Sequence, residues 1–506
     1  MSRSWIIFIV FSCIYFSSMV GIMNSGDGTQ YALTKTLVED KTVMIDNNVS
    51  WTYFTDFAYR DGHYYSSREP GQSILAVPFY FLGKFLTSYL NLPYNGQAPG
   101  LNSDTKIQLL TIISQALLGS GAVVVLYKLC LLIYPKHIPS LVTAVTYGLG
   151  SLHWKYSAGF YRQPLAALFL LSSVYLIIQI KRNNKWHSSL LIGLFLGLVL
   201  FVDTTMILAV IALFFWYLTQ IFTQSSKTKF LLSVAIGISI PLTTHVLYNY
   251  VAFNKFLISP HFFEGNPNFQ WQRTISGSFE TPIFPSLTIN LFSSSPIPPN
   301  AIAPEFWSDI PKRNAISAYW ATVYPYKGIF VQTPFLILAS IGFLHLLKFS
   351  KEMVFFIIIS AAGIILPLAK LNMFYSPNMY DTRYFLPAVP LLMIGSVGWW
   401  KIILTQKNNI LKSTLMSITL VLVLASVYYG WVSNLTAYAP NVTGEHRFDF
   451  SRLPPLNKLN FIHYVWLLIF NTFPNISNLH FGLLYSGSLF MLWTALKRLR
   501  YKLLSL

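Results

Sequence analysis

Charged residues are scarce in this 506-residue chain: Asp, Glu, Lys and Arg together make up 10% of it, against 54% apolar residues. Soluble domains carry about 25% charged residues. With a mean hydropathy of +0.51, the composition excludes a soluble globular protein and points to several membrane crossings. Acidic residues are scarcer still, 17 against 35 basic ones, for a formal net charge of +18. In a soluble chain such an excess would suggest nucleic acid. Here Lys and Arg gather in short loops between apolar runs, the pattern that orients membrane helices, so a nucleic-acid partner is discounted. The two cysteines, Cys13 and Cys130, both lie inside apolar runs, which excludes a disulfide or cysteine-metal framework. The sequence also lacks a P-loop, a G-x-G-x-x-G opening a helix and an H-E-x-x-H, which argues against a nucleotide-driven pump and a zinc protease.

What is present in quantity is apolar sequence. A membrane span needs about 20 such residues. Runs of that kind predict twelve spans: Trp5–Val20, Ile107–Tyr134, Ile138–Trp154, Leu165–Ile180, Trp186–Val202, Thr204–Phe222, Phe230–Tyr250, Gly328–Leu347, Met353–Ala369, Tyr384–Trp400, Ile410–Trp431 and Phe481–Leu496. No small-x-small cleavage site follows the first, which is read as a retained helix. The run Gln72–Leu90 carries Pro78 and Lys84. Laid along the outer surface, it leaves every inner loop basic and every acidic residue but Glu352 outside or at the outer boundary. Phe461–Phe473 is short for a span and is read as interfacial too. The expected fold class is an all-α polytopic membrane protein of about 12 transmembrane helices, with interfacial helices in the first outer loop and both termini inside. Its expected parts are an N-terminal membrane module, 1–250, with a first outer loop, 23–104; an outer loop, 251–327; and C-terminal membrane helices, 328–506, with an outer segment, 433–480. So long a loop as 251–327 is uncommon unless functional, and the chemistry is expected on the outer face.

Seven of the 17 acidic residues fall between Gly26 and Pro70, directly after the first span: Asp27, Glu39, Asp40, Asp46, Asp56, Asp61 and Glu69. Asp27 stands between two glycines, with Tyr31 one turn later if the segment is helical. A carboxylate at a membrane interface can take a proton from an incoming hydroxyl; the plainer alternative is that Asp27 caps the following helix. The run Asp61-Gly62-His63-Tyr64-Tyr65-Ser66, with Arg68 and Glu69 behind it, could bind a hydroxyl-rich ligand through carboxylate, imidazole and phenol groups. Alternatively Asp-Gly marks a hairpin turn and His63 is a surface histidine. Lys155, Arg162, Lys327, Lys370 and Arg383 break the inside bias by standing at outer helix ends. There they clamp a phosphate or merely snorkel to head groups; for Arg383 the phosphate role is favoured. Asp203, in a tight turn between two spans, is a site candidate or a turn cap.

Taken together these pieces resemble the polytopic GT-C glycosyltransferases that use polyprenyl-phosphate-linked sugars, especially relatives of protein mannosyltransferases and aminoarabinose transferases. The resemblance rests on Gly26-Asp27-Gly28-Thr29-Gln30-Tyr31, Asp61 to Gly71, Tyr147-Gly148-Leu149-Gly150 to Leu165, Tyr326-Lys327-Gly328-Ile329-Phe330, and Asp381-Thr382-Arg383-Tyr384-Phe385-Leu386-Pro387. It implies a GT-C-like bundle in the plasma membrane of a prokaryote, with its active site on the non-cytoplasmic face. It implies Asp27 as catalytic base, with Arg383, Lys327, Arg162 and Lys155 on the lipid phosphate. Tyr31, Asp61, His63, Tyr65, Arg68, Glu69 and Asp203 would line the substrate site. The implied partners are a polyprenyl-phosphate-linked sugar donor, membrane lipids, and an acceptor glycan, lipid or protein. Attack on the anomeric carbon would invert it, without a nucleotide or an obligatory metal, a divalent cation being left open. Two departures stand out: the family often has Asp-Glu where this chain has Asp27-Gly28, and an acid where Gln163 stands, so a second carboxylate would have to be Asp61 or Asp203. The rival expectations are a transporter or flippase of a polyprenyl-linked saccharide, and a glycan ligase or polymerase.

Overall fold

The computed structural model describes residues 2–18, 22, 25–52, 54, 56–90, 105–183, 185–222, 226–256, 259–260, 282–292, 328–370 and 382–435. Lys327, most of the loop 251–327, the short run Phe461–Phe473 and the expected last span Phe481–Leu496 lie outside them. Within the described residues the chain is mostly helical, and the order opens α1 (Arg3–Ser17), α2 (Ser25–Glu39), β1 (Phe57–Arg60), β2 (His63–Ser66), α3 (Gly71–Leu90) and α4 (Thr105–Ile133). It continues with α5 (His137–Leu149), α6 (His153–Ser157), α7 (Gln163–Asn183), α8 (Trp186–Val202), α9 (Ile207–Ile221) and α10 (Lys227–Phe253), followed by further helices to Leu435.

Among the described residues seven helical stretches are long and apolar enough to cross a membrane: Leu110–Ile133, Gln163–Ile180, Thr204–Ile221, Lys227–Phe253, Lys351–Ala369, Ala388–Thr405 and Asn409–Trp431. Three shorter apolar helices, Arg3–Phe16, Trp186–Val202 and Phe335–Leu346, fall on three more of the expected spans. The chain is an integral multi-pass membrane protein. Its outer helices show why: along α10, Leu232, Ile236, Ile240 and Leu247 are exposed while Phe230, Val234, His245 and Tyr248 are buried. An apolar stripe turned outward on a helix whose other face is packed belongs against lipid. Small residues let α8 and α10 touch backbone to backbone, a Cβ on Gly193 falling 2.1 Å from the Val234 carbonyl oxygen and one on Gly237 2.1 Å from that of Leu190.

Where the structure departs from expectation, polar residues are the reason. Ile138–Trp154 is not one helix: α5 stops at Leu149, and the chain turns before α6. His153 drives the break, its Nδ1 meeting the Tyr147 hydroxyl at 2.8 Å and its Nε2 the Gly119 carbonyl oxygen at 2.9 Å. From Ser151 to Gln163 every residue is buried, so Lys155 and Arg162 are carried by an enclosed re-entrant segment and not by an open outer loop. The expected span Tyr384–Trp400 likewise opens on a short 3-10 turn, Arg383–Phe385, before its helices. The first outer segment is not all helix, since β1 and β2 pair antiparallel with Arg60 opposite His63. Lys401 lies 5.5 Å from the Tyr134 ring and 4.2 Å from that of Phe349. Lys229 stacks 5.0 Å from Trp186, the first residue of α8, while Asp203 follows that helix's last. At 17 residues, α8 holds these two ends about 25 Å apart.

Candidate active site

Asp27 lies in the first turn of α2, fully buried. The helix starts at Ser25, so Asp27 is inside it and not its cap, where the partial positive charge of the helix N-terminus favours a carboxylate. Gly28 is required by the chain itself: a Cβ there would stand 1.8 Å from the Trp51 carbonyl oxygen, so it brings α2 against the turn Asp46–Thr52 and the close approach is internal. Tyr31, one turn along on the Asp27 face, meets Trp51 at 4.8 Å and Phe160 at 6.4 Å, edge on. Phe160 is two residues from Arg162, so the Asp27 helix and the re-entrant segment share one core.

The hairpin separates the next group into two. Asp61 and Gly62 have φ of 51° and 87°, the left-handed pair of a two-residue hairpin turn. Asp61 is 75% exposed and bonded to Arg60 at 2.8 Å. His63 Nδ1 meets Asp46 Oδ2 at 2.7 Å, also near the surface. Tyr65 points inward against Phe253, with ring centres 5.4 Å apart. At the inner end of β2, the Ser67 amide donates to Thr29 Oγ1 at 3.4 Å, tying the hairpin to α2. Arg68 then pairs with Asp56 at 2.6 Å, both largely buried, and the Ser67 hydroxyl donates to the same carboxylate.

Glu69 and Asp203 meet on Arg162, which sequence separation would not suggest. Its Nη1 donates to Glu69 Oε2, and its Nε to Asp203 Oδ2 at 3.2 Å. Thr204 Oγ1 and Ser259 Oγ donate to Glu69 Oε1 at 2.5 and 2.9 Å, while the Thr205 hydroxyl donates to Asp203 Oδ1 at 2.7 Å. Burial would raise the Glu69 carboxyl, but the Arg162 charge and the Thr204 bond outweigh it and hold Glu69 down at about 2. For Asp203 burial wins, aided by the negative Glu69, and its pKa is raised. One guanidinium thus bridges two buried carboxyls whose pKa values are driven in opposite directions.

Arg383 is enclosed by aromatic rings: its guanidinium carbon lies 5.1 Å from the Tyr384 ring centre and 5.6 Å from that of Tyr161. Its Nη2 donates to the Tyr384 hydroxyl at 3.3 Å. Tyr161 stacks edge on to Tyr156 at 4.8 Å, and Lys155 Nζ is 5.4 Å from the Tyr156 ring. Burial pushes the Tyr384 phenol up, yet Arg383, then Arg68 and Arg162, pull it below its ordinary value. Arg68 precedes Glu69, which Arg162 bonds, and Tyr161 beside Arg162 lies under Arg383, so the three arginines are joined through direct contacts.

The structure brings Arg68, Glu69, Arg162, Asp203 and Arg383 together, with Asp27, Tyr31 and Lys155 on the elements packed around them. It leaves Asp61 and His63 at the far end of the hairpin, about 10 Å along the strand. Among the described residues no three His, Cys, Asp or Glu side chains are grouped as a metal would need. Sequence reading passed over Asp56, Tyr161, Thr204 and Tyr384. The alternation of basic and aromatic residues in Trp154-Lys155-Tyr156 and Phe160-Tyr161-Arg162 was the available signal for the tyrosines.

No family model and no curated protein matches the chain. Among solved structures it is similar to the archaeal oligosaccharyltransferase AglB from Archaeoglobus fulgidus, in complex with an inhibitory peptide and a dolichol-phosphate, at TM-score 0.45 and 11% identity, covering 85% of this chain and 55% of that one. It is also similar to ArnT from Cupriavidus metallidurans bound to undecaprenyl phosphate, at TM-score 0.43 and 11% identity over 92% of this chain and 75% of that one. The apo state of ArnT gives TM-score 0.42 and 12% identity, over 83% and 73%. The chain spans little more than half the length of the oligosaccharyltransferase, and likenesses this distant assign neither substrate nor reaction.

Proposed function

We propose that the chain is a membrane glycosyltransferase that moves a sugar from a polyprenyl-phosphate lipid to an acceptor hydroxyl on a glycan, lipid or protein. The observation that carries this is the placing of Arg162, buried and bonded to Glu69, between Arg68, the residue before Glu69, and Arg383, which lies over the Tyr161 ring, close to the helix whose first turn holds Asp27. Buried guanidinium groups are costly in a membrane protein and are kept for partners of opposite charge. A phosphate at the membrane surface is such a partner, and a planar guanidinium grips it bidentately.

In this scheme Asp27 accepts the proton of the acceptor hydroxyl. The freed oxygen attacks the anomeric carbon from the face opposite the phosphate, the carbon–oxygen bond to phosphate breaks, and the electron pair leaves with the polyprenyl phosphate. A single displacement of this kind inverts the anomeric centre. Arg383 meets the charge growing on the leaving phosphate. Arg162, bonded to Glu69 and Asp203, adds to the positive field and fixes the start of α7 against the hairpin and the end of α8. Lys229 packs on the end of α8 about 25 Å from Asp203, and a basic end opposite the cluster supports a non-cytoplasmic active site under the positive-inside rule. Concentration of these ionised groups at one end favours a transferase over a transporter, which would need them along a path through the membrane.

The test is purified protein in nanodiscs with a panel of decaprenyl-phosphate sugars, following release of decaprenyl phosphate by wild type and Asp27→Asn. Donor consumption by wild type that Asp27→Asn lacks is expected. Equal turnover by the two, or no consumption of any donor, would contradict the proposal.

A further inference from the structure

The first turn of α3 enters the ground between the ion cluster and α2. A Cβ on Gly71 would lie 2.3 Å from the Phe201 carbonyl oxygen and 2.8 Å from the Val202 nitrogen, so α3 begins against the end of α8, next to Asp203. On its other side the Ser73 hydroxyl donates to the Gln30 carbonyl at 2.8 Å, and Thr34 Oγ1 donates to the Ser73 carbonyl at 3.2 Å. Between these two attachments stands Gln72, three residues after Glu69 and completely buried. Among the described residues neither its Oε1 nor its Nε2 has a hydrogen-bond partner.

Gln108 and Gln115 of α4 each have an open amide oxygen as well, and two more such amides stand beside the ion cluster. Gln30, in the turn of α2 after Asp27, and Gln163, the residue after Arg162, each have a side-chain oxygen without a partner among the described residues. More than nine in ten buried polar groups in folded proteins are satisfied. Open amide atoms on three helices that meet around one ion cluster therefore mark a place where a ligand supplies the missing partners. An amide offers N–H and C=O together, which suits hydroxyl groups that both donate and accept. It offers no countercharge to a buried carboxylate or ammonium group.

We propose that Gln72, with Gln30 and Gln163, reads the hydroxyl groups of a neutral sugar on the lipid donor, making these amides specificity-determining residues of the transferase site. This rests on the function proposed above, and the test separates the two. In nanodiscs, the affinities of bare decaprenyl phosphate, decaprenyl phosphate carrying a neutral hexose, its monodeoxy analogues and the matching uronic acid are measured on wild type and on Gln72→Leu and Gln72→Met.

Wild type is expected to bind the bare lipid, to bind the hexose form about tenfold tighter, and to lose that increment with at least one deoxy analogue and with the uronic acid. Both Gln72 variants are expected to bind the bare lipid as wild type does and to lose the increment. Failure of wild type to bind bare decaprenyl phosphate would overturn the proposed function itself. Bare-lipid binding with no hexose increment, or with equal affinity for the uronic acid, would overturn the neutral-sugar assignment alone. So would an increment kept in the Gln72 variants, and the wild-type arms decide the matter even if neither variant folds.

Discussion

Arg162→Met removes the cation that two buried carboxylates share. Breaking a buried ion pair from one side costs about 3–5 kcal/mol, because the acid left behind keeps its desolvation penalty and loses its partner. Glu69 points the same way: against burial, the Arg162 charge holds its carboxyl well below the ordinary value, so the ionised pair contributes stability at neutral pH. Because the folded pKa is depressed, this stability is present above the unfolded value of 4.5 and is lost as pH falls from there toward about 2. Asp203, with its pKa raised by burial, works in the opposite sense and gains as it takes up a proton. Without Arg162 the largest force opposing burial is gone and the Glu69 pKa rises, so the variant has less such stability to lose in acid. Tryptophan-fluorescence melting in nanodiscs should place Arg162→Met roughly 5–10 °C below wild type at pH 7. The gap should narrow at pH 3, and Arg162→Met combined with Glu69→Gln and Asp203→Asn should recover most of it. An unchanged melting point at pH 7, or a gap that persists in acid, would refute the account of this cluster.

Arg383→Lys keeps the charge but loses the planar fork held between Tyr161 and Tyr384; decaprenyl-phosphate affinity, by competition with a fluorescent lipid, should fall about tenfold to a hundredfold. Gly28→Ala drives a methyl group to 1.8 Å from the Trp51 carbonyl oxygen. It should destabilise the fold by at least about 1–3 kcal/mol, visible as a lowered melting point and a smaller monodisperse peak in size-exclusion chromatography.

Much of the helical frame was legible because lipid leaves one requirement, a long apolar run, and α7, α8, α9 and α10 meet it within a few residues of expectation. The break after Leu149 was not, since His153 sits in an otherwise apolar window and its partners, Tyr147 and Gly119, are set by packing. Asp27 and Arg383 stood out as charges next to predicted spans; the structure buries Asp27 and half-buries Arg383. That Arg162 binds Glu69, 93 residues earlier, and Asp203 follows from how α7, α8 and the hairpin meet, which periodicity does not encode. Asp61-Gly62 was legible as a turn, and the turn is what the backbone adopts. The glycines beside Asp27 were plain to see, but that Gly28 lies against Trp51, 23 residues on, is set by packing.

The most direct measurement is the first-order rate of sugar transfer from a decaprenyl-phosphate hexose by wild type and Asp27→Asn, each with its affinity for bare decaprenyl phosphate. The account predicts a loss in rate of about a hundredfold to ten-thousandfold with the lipid affinity within about twofold, since the arginines and not Asp27 hold the phosphate. A rate that survives the substitution, or a rate and an affinity that fall together, would contradict it.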